Sequence, residues 1–166
     1  MKSGIDSSYV GRIKVNILRV IVYIVMALTV LLIFLTPQFL NNSTAYFTPS
    51  LTTKQNNAIY WYVILCCIPF LTALFDVKKI CDLITQGDSF SIMTLNYLSV
   101  IVICCYIEAV INIAAIFIFP SLLKIQFYAL NLLIIGICGA VAVFTTVLKE
   151  LVKSAIRLRE DSELTI

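Results

Sequence analysis

The chain has 166 residues, of which 61% are hydrophobic and 13% charged, and its net charge is +3. Soluble domains carry about a quarter charged residues, and a mean hydropathy of +1.01 marks more apolar surface than one globular core of this size can enclose. These figures exclude a soluble enzyme, a reader of nucleic acid and a disordered chain, and they predict an integral membrane protein.

The charges are bunched, with none between Arg19 and Lys54, Lys54 and Asp76, or Lys124 and Lys149. A membrane-crossing helix needs about 20 mostly apolar residues. The apolar parts of the sequence therefore predict spans near 15–35, 58–75, 97–119 and 127–148. The two-residue alternation of a barrel strand is absent. The expected fold is all-α, a single integral membrane four-helix bundle with an amphipathic helical tail over 149–166.

The first span is too long for the apolar core of a signal peptide. Thr36-Pro37 follows it without a small-x-small cleavage pattern, so it reads as a retained helix. A polar outside loop is expected from about Thr36 to Asn57, carrying the sequon-like run Asn41-Asn42-Ser43-Thr44. Pro69 predicts a kink in the second span. After it, Val77, Ile80, Leu83 and Ile84 fall at helical spacing in a middle loop, and Gln86-Gly87-Asp88 reads as a stop. Ser89 or Ser91 then caps the third helix, with Phe90 between them as an aromatic that needs a docking place. A tight connection around Pro120 to Gln126 leads to the fourth span.

The positive-inside rule orients these spans. Lys2, Arg12, Lys14, Arg19, Lys78, Lys79, Lys149, Lys153, Arg157 and Arg159 fall on one side, and only Lys54 and Lys124 on the other. Both termini and the middle loop are therefore expected in the cytoplasm of a multi-pass protein of a cell (inner) membrane. The six cysteines avoid the outside loops and form no CxxC, and the chain has no histidine, so neither a disulfide framework nor a metal or other cofactor is expected.

Two places carry candidate chemistry. Glu108 lies near the centre of the third span, where an ionised carboxyl costs at least about 2.5–3.5 kcal/mol, and Asn112 follows one turn on along the same face. Asn131, Thr145 and Thr146 in the fourth span are further polar groups, none at an obviously matching depth. The pair can bond helices together, within the chain or across a homodimer, or act as a proton- or cation-responsive site. The tail is the second place. Leu148, Leu151, Val152, Ala155 and Leu158 make an apolar stripe, and Lys149, Lys153 and Arg157 a basic one. Such a helix either lies on anionic headgroups or docks a cytoplasmic partner.

Gly87-Asp88-Ser89-Phe90-Ser91 after two spans, with the closing Leu158-Arg-Glu-Asp-Ser-Glu-Leu-Thr-Ile166, resembles the YoaS-like bacterial family of small four-helix membrane proteins. In that family a Glu-Asn pair follows the Phe-Ser, where Met93 and Thr94 stand here. The resemblance implies no catalytic residues. It implies instead a signalling or sequestering role beside a small helix-turn-helix DNA-binding regulator.

Catalysis is not expected. The chain lacks HExxH, GxSxG and a Gly-rich phosphate loop, and an intramembrane aspartyl enzyme needs two close carboxyls where the third span offers one. The expected function is regulatory or scaffolding, with a cytoplasmic partner docked through the middle loop and tail. The alternatives are a small proton-coupled transporter working as a dimer around Glu108, and an immunity protein against a membrane-active peptide.

Overall fold

The computed structural model describes residues 3–43, 53–86, 91–118 and 125–163. Over these the chain is helical: α1 (Ser3–Ser43), α2 (Thr53–Gln86), α3 (Ile92–Ile118) and α4 (Ile125–Glu163). Each helix is long and apolar enough to cross a membrane, over Val15–Gln38, Asn57–Gln86, Ile92–Ile118 and Tyr128–Arg159. Helices suit this setting because every backbone N–H and C=O is satisfied inside the element, which a bilayer interior demands.

The helices reach well beyond the apolar runs. The segment expected as a separate loop helix around residues 77–84 is the last part of α2, which ends only at Gln86. The cause is local: no glycine or proline follows Pro69 until Gly87. On the other side α1 continues past Thr36-Pro37 to Ser43, so much of the expected outside loop is helix. Proline's fixed φ is close to the helical value; its cost here is the donor withheld from the carbonyl four residues back. Likewise α2 stays a single helix through Pro69.

Packing follows chain order. α1 lies on α2, α2 on α3 and α3 on α4, and no other pair comes into backbone contact among the described residues. α1 and α4 thus leave the bundle open between them. Phe34, Trp61, Phe117 and Phe144 are among the many large side chains left on the outside, as a lipid-facing surface requires. The most buried side chains are instead Asn112, Asn131 and Cys81. Hydroxyls in the spans bond back along their own helix, Thr29 to the Val25 carbonyl at 2.8 Å and Thr36 to the Leu32 carbonyl at 2.7 Å.

One end of the bundle is held by charge. The Arg19 guanidinium of α1 meets Asp82 of α2 at 2.6 Å and donates to the Thr85 hydroxyl at 3.2 Å. Lys78 Nζ lies 5.4 Å from the ring centre of Tyr23 on α1, and Lys79 Nζ 4.9 Å from that of Tyr97 on α3. Cations over aromatic faces are attracted by the ring quadrupole. Residues read from the sequence only as markers of sidedness thus also join α1, α2 and α3. At the start of α3, the Ser91 hydroxyl accepts from the Thr94 N–H at 3.3 Å, capping the helix as expected for that serine.

Candidate functional site

α2, α3 and α4 meet at a polar cluster built on Asn112. This residue is fully buried, and its Nδ2 donates to the Glu108 carbonyl at 2.8 Å and to Glu108 Oε1 at 3.3 Å. The predicted pairing of Glu108 with Asn112 across one helical turn is therefore present. Asn112 Oδ1 accepts from the Tyr62 hydroxyl of α2 at 2.9 Å, and that hydroxyl lies 2.8 Å from Oδ1 of the buried Asn131 on α4. A phenol has one proton to give. Because Asn112 is fixed by its bonds to Glu108, the hydroxyl donates to Asn112. It is satisfied toward Asn131 when that carboxamide turns its Nδ2 inward, an exchange of nearly equivalent atoms.

Sequence reasoning missed Tyr62 and did not match Asn131 to Asn112 in depth. The signal was there in the hairpin: Asn112 lies six residues before the end of α3 and Asn131 six residues after the start of α4. With equal rise per residue, the two sit at one level.

Glu108 itself is only half held. The Cys66 thiol on α2 shares a hydrogen bond with the carboxyl, but Glu108 Oε2 is buried with no partner. Among the described residues no Lys or Arg pairs with Glu108. The carboxyl lies at the wall of a cavity of about 300 Å³ between α1, α2 and α3, lined otherwise by Val25, Leu28, Thr29, Leu32, Cys66, Cys67 and Phe70.

The tail residues are placed differently. Lys149 is half-buried on α4, whereas Lys153 and Arg157 are exposed, with Lys153 Nζ 3.9 Å from Glu150. The apolar stripe divides: Leu148, Val152 and Ala155 are half-buried, and Leu151 and Leu158 stand out at 62% and 70% exposure. Phe90 lies outside the described residues. No group of three or more potential metal ligands forms among the described residues.

The family described as "Protein of unknown function (DUF2975)" matches residues 36–166. The chain belongs to this family. It is also 29% identical, over 150 residues, to the "Uncharacterized membrane protein YoaS" of Bacillus subtilis (strain 168), a match covering 88% of this chain and 92% of that one. The resemblance seen in the two motifs is thus carried by most of the sequence. No solved structure matches the chain. The polar cluster and the cavity of this DUF2975 chain both fall within the matched region, apart from the α1 wall ahead of Thr36.

Proposed function

We propose that the chain is a non-enzymatic regulatory or scaffolding protein of a bacterial cell (inner) membrane, with both termini in the cytoplasm, which docks a cytoplasmic protein through its middle loop and tail. The observation that carries this reading is the continuity of α4 from Ile125 to Glu163, with Leu151 and Leu158 exposed along it. The apolar part, 125–148, already exceeds the roughly 30 Å hydrocarbon thickness at 1.5 Å per residue. A helix lying on headgroups would have to turn sharply after leaving the bilayer, and sharp kinks need a proline, a Gly/Ser pair or a π-bulge. Residues 147–159 contain neither proline nor glycine, and the α-helix is unbroken there. Leu158, ten residues beyond Leu148, is carried roughly 15 Å further along the axis, past a headgroup layer of about 5–8 Å on each side.

An exposed leucine there has no lipid to cover it, and Lys153 and Arg157 beside it favour a partner with an acidic, apolar face. The residues that orient the chain support the same side for the middle loop: Arg19, Asp82, Lys78 and Lys79 gather at the end where α4 emerges. The small helix-turn-helix regulator implied by the family resemblance fits as a protein partner, without direct contact of this chain with nucleic acid.

The test uses full-length protein in nanodiscs and that purified regulator as ligand. Replacing Leu151 and Leu158 with serine is expected to weaken binding about tenfold or more, since burying each leucine contributes about 1.5–3 kcal/mol. Undiminished binding by the double variant, or none by the parent chain, refutes docking by this tail.

A further inference from the structure

We propose that the cavity between α1, α2 and α3 binds a membrane-partitioned molecule bearing a single protonated amine, its ammonium paired with the Glu108 carboxyl and its apolar body against Val25, Leu28, Leu32 and Phe70. This site is separate from the cytoplasmic surface of α4 and does not depend on it.

The chemistry of the lining selects the ligand. Oε2 is a buried acceptor with no donor, while its sister oxygen is held by Asn112 at 3.3 Å. The Thr29 hydroxyl spends its proton on the Val25 carbonyl at 2.8 Å, so toward the cavity it offers only lone pairs. The remaining polar lining groups are the weak thiol donors of Cys66 and Cys67. An anion finds no donor of strength, and a neutral ligand does nothing to offset the cost of ionising the carboxyl away from water. A protonated amine supplies donors and charge together. Two oxygens, from Glu108 and Thr29, are far fewer than the six to eight that calcium takes, which argues against a bare hard metal ion.

Size and access agree. The cavity holds about 300 Å³, roughly twice the 150 Å³ cavity that accepts benzene. That leaves room for a body of about a dozen heavy atoms. Leu28, Leu32 and Phe70 of its wall are 57%, 53% and 46% exposed on the lipid-facing surface, so the route in is through the bilayer.

The experiment places the full chain in phosphatidylcholine nanodiscs at pH 7 and measures retention of 1-naphthylmethylamine by equilibrium dialysis, with empty discs subtracted. The neutral isostere 1-naphthylmethanol is the comparison. The amine is expected to bind about ten- to a hundredfold more tightly than the alcohol, the range of a hydrogen bond to a charged group. In Glu108→Gln the preference disappears while binding of the alcohol is unchanged. Leu28→Trp, which keeps the carboxyl and fills the apolar part, loses both ligands and carries the test if Glu108→Gln does not fold. Equal binding of amine and alcohol, no binding of either, a preference that survives Glu108→Gln, or full binding by Leu28→Trp overturns the proposal.

Discussion

Tyr62→Phe removes one oxygen atom and nothing else, yet that oxygen joins α2 to α3 and α4. It lies 2.9 Å from Asn112 Oδ1 and 2.8 Å from Asn131 Oδ1, and both carboxamides are at least 99% buried. The phenylalanine ring keeps the same shape, so no cavity cost enters. Hydrogen bonds between helices in bilayers average about 0.6 kcal/mol and reach about 1.7. Two of them lost together, with their partners left in a site lipid cannot solvate, give an expected destabilisation of about 1–3 kcal/mol. The assay is unfolding by SDS in mixed micelles, followed through the emission of Trp61, the single tryptophan of the chain. Tyr60→Phe is the control, because among the described residues the contact of Tyr60 is a ring-edge one with Trp61, at 6.2 Å between centroids. It is expected to shift stability by less than about 0.5 kcal/mol. A double-mutant cycle of Tyr62→Phe with Asn131→Ala should return a coupling of at least about 0.5 kcal/mol. Equal shifts for the two tyrosines, or no coupling, refute the view that this hydroxyl holds three helices together.

Asp82→Asn breaks the contact with Arg19, whose two side chains are 30% and 38% exposed; the expected cost is at most about 1 kcal/mol, shrinking in high salt by the same SDS assay. A loss above about 2 kcal/mol that salt does not alter would contradict a screened surface pair. Gly139→Ala places its Cβ in open space, with nothing within 4 Å, so it should leave stability unchanged or raise it by up to about 1 kcal/mol through helix propensity. A loss measured by SDS titration would mean that another helix packs on that face of α4.

What the sequence disclosed, and what it hid, follows from the range of each interaction. The spans were legible because an uncharged run long enough to cross a bilayer is a one-dimensional property, as between Lys124 and Lys149. The Glu108–Asn112 contact was legible because helical geometry alone places i and i+4 side by side. The continuity of α2 from Pro69 to Gln86 is hidden in the sequence, where Asp76, Lys78 and Lys79 divide an apolar span from a charged segment. Charged residues end the apolar stretch without ending the helix, because their side chains leave the backbone free to continue its hydrogen-bond ladder. Arg19 with Asp82, and Tyr62 with Asn131, join residues more than 60 positions apart. Their pairing depends on the level each residue takes in its own helix. That level can be counted from a hairpin once the helix ends are known, and it is hidden while they are not. A tyrosine inside an apolar run carries no mark that distinguishes a hub from a packing residue.

Polar satisfaction across the membrane sets Glu108 apart from most polar side chains of the spans. Thr29, Thr36, Thr72, Ser99 and Thr146 each return a hydrogen bond to their own helix. Asn112 and Asn131 share Tyr62. Two buried side-chain atoms among the described residues lack a partner, Arg19 Nε and Glu108 Oε2. The first belongs to a guanidinium at the charged end of α1, 30% exposed, already bonded to Asp82 and Thr85 and within reach of interfacial water. The second lies in the middle of the span, where lipid offers no donor, and it belongs to a residue lining a cavity whose other polar groups are acceptors or weak thiols. A helix-packing role would be served by the bonded half of the carboxyl alone, and glutamine would fill that role without the cost of a charge. An unbonded carboxyl oxygen on a residue that lines an open, lipid-accessible cavity is what a purely structural glutamate leaves unexplained and a bound ammonium group accounts for.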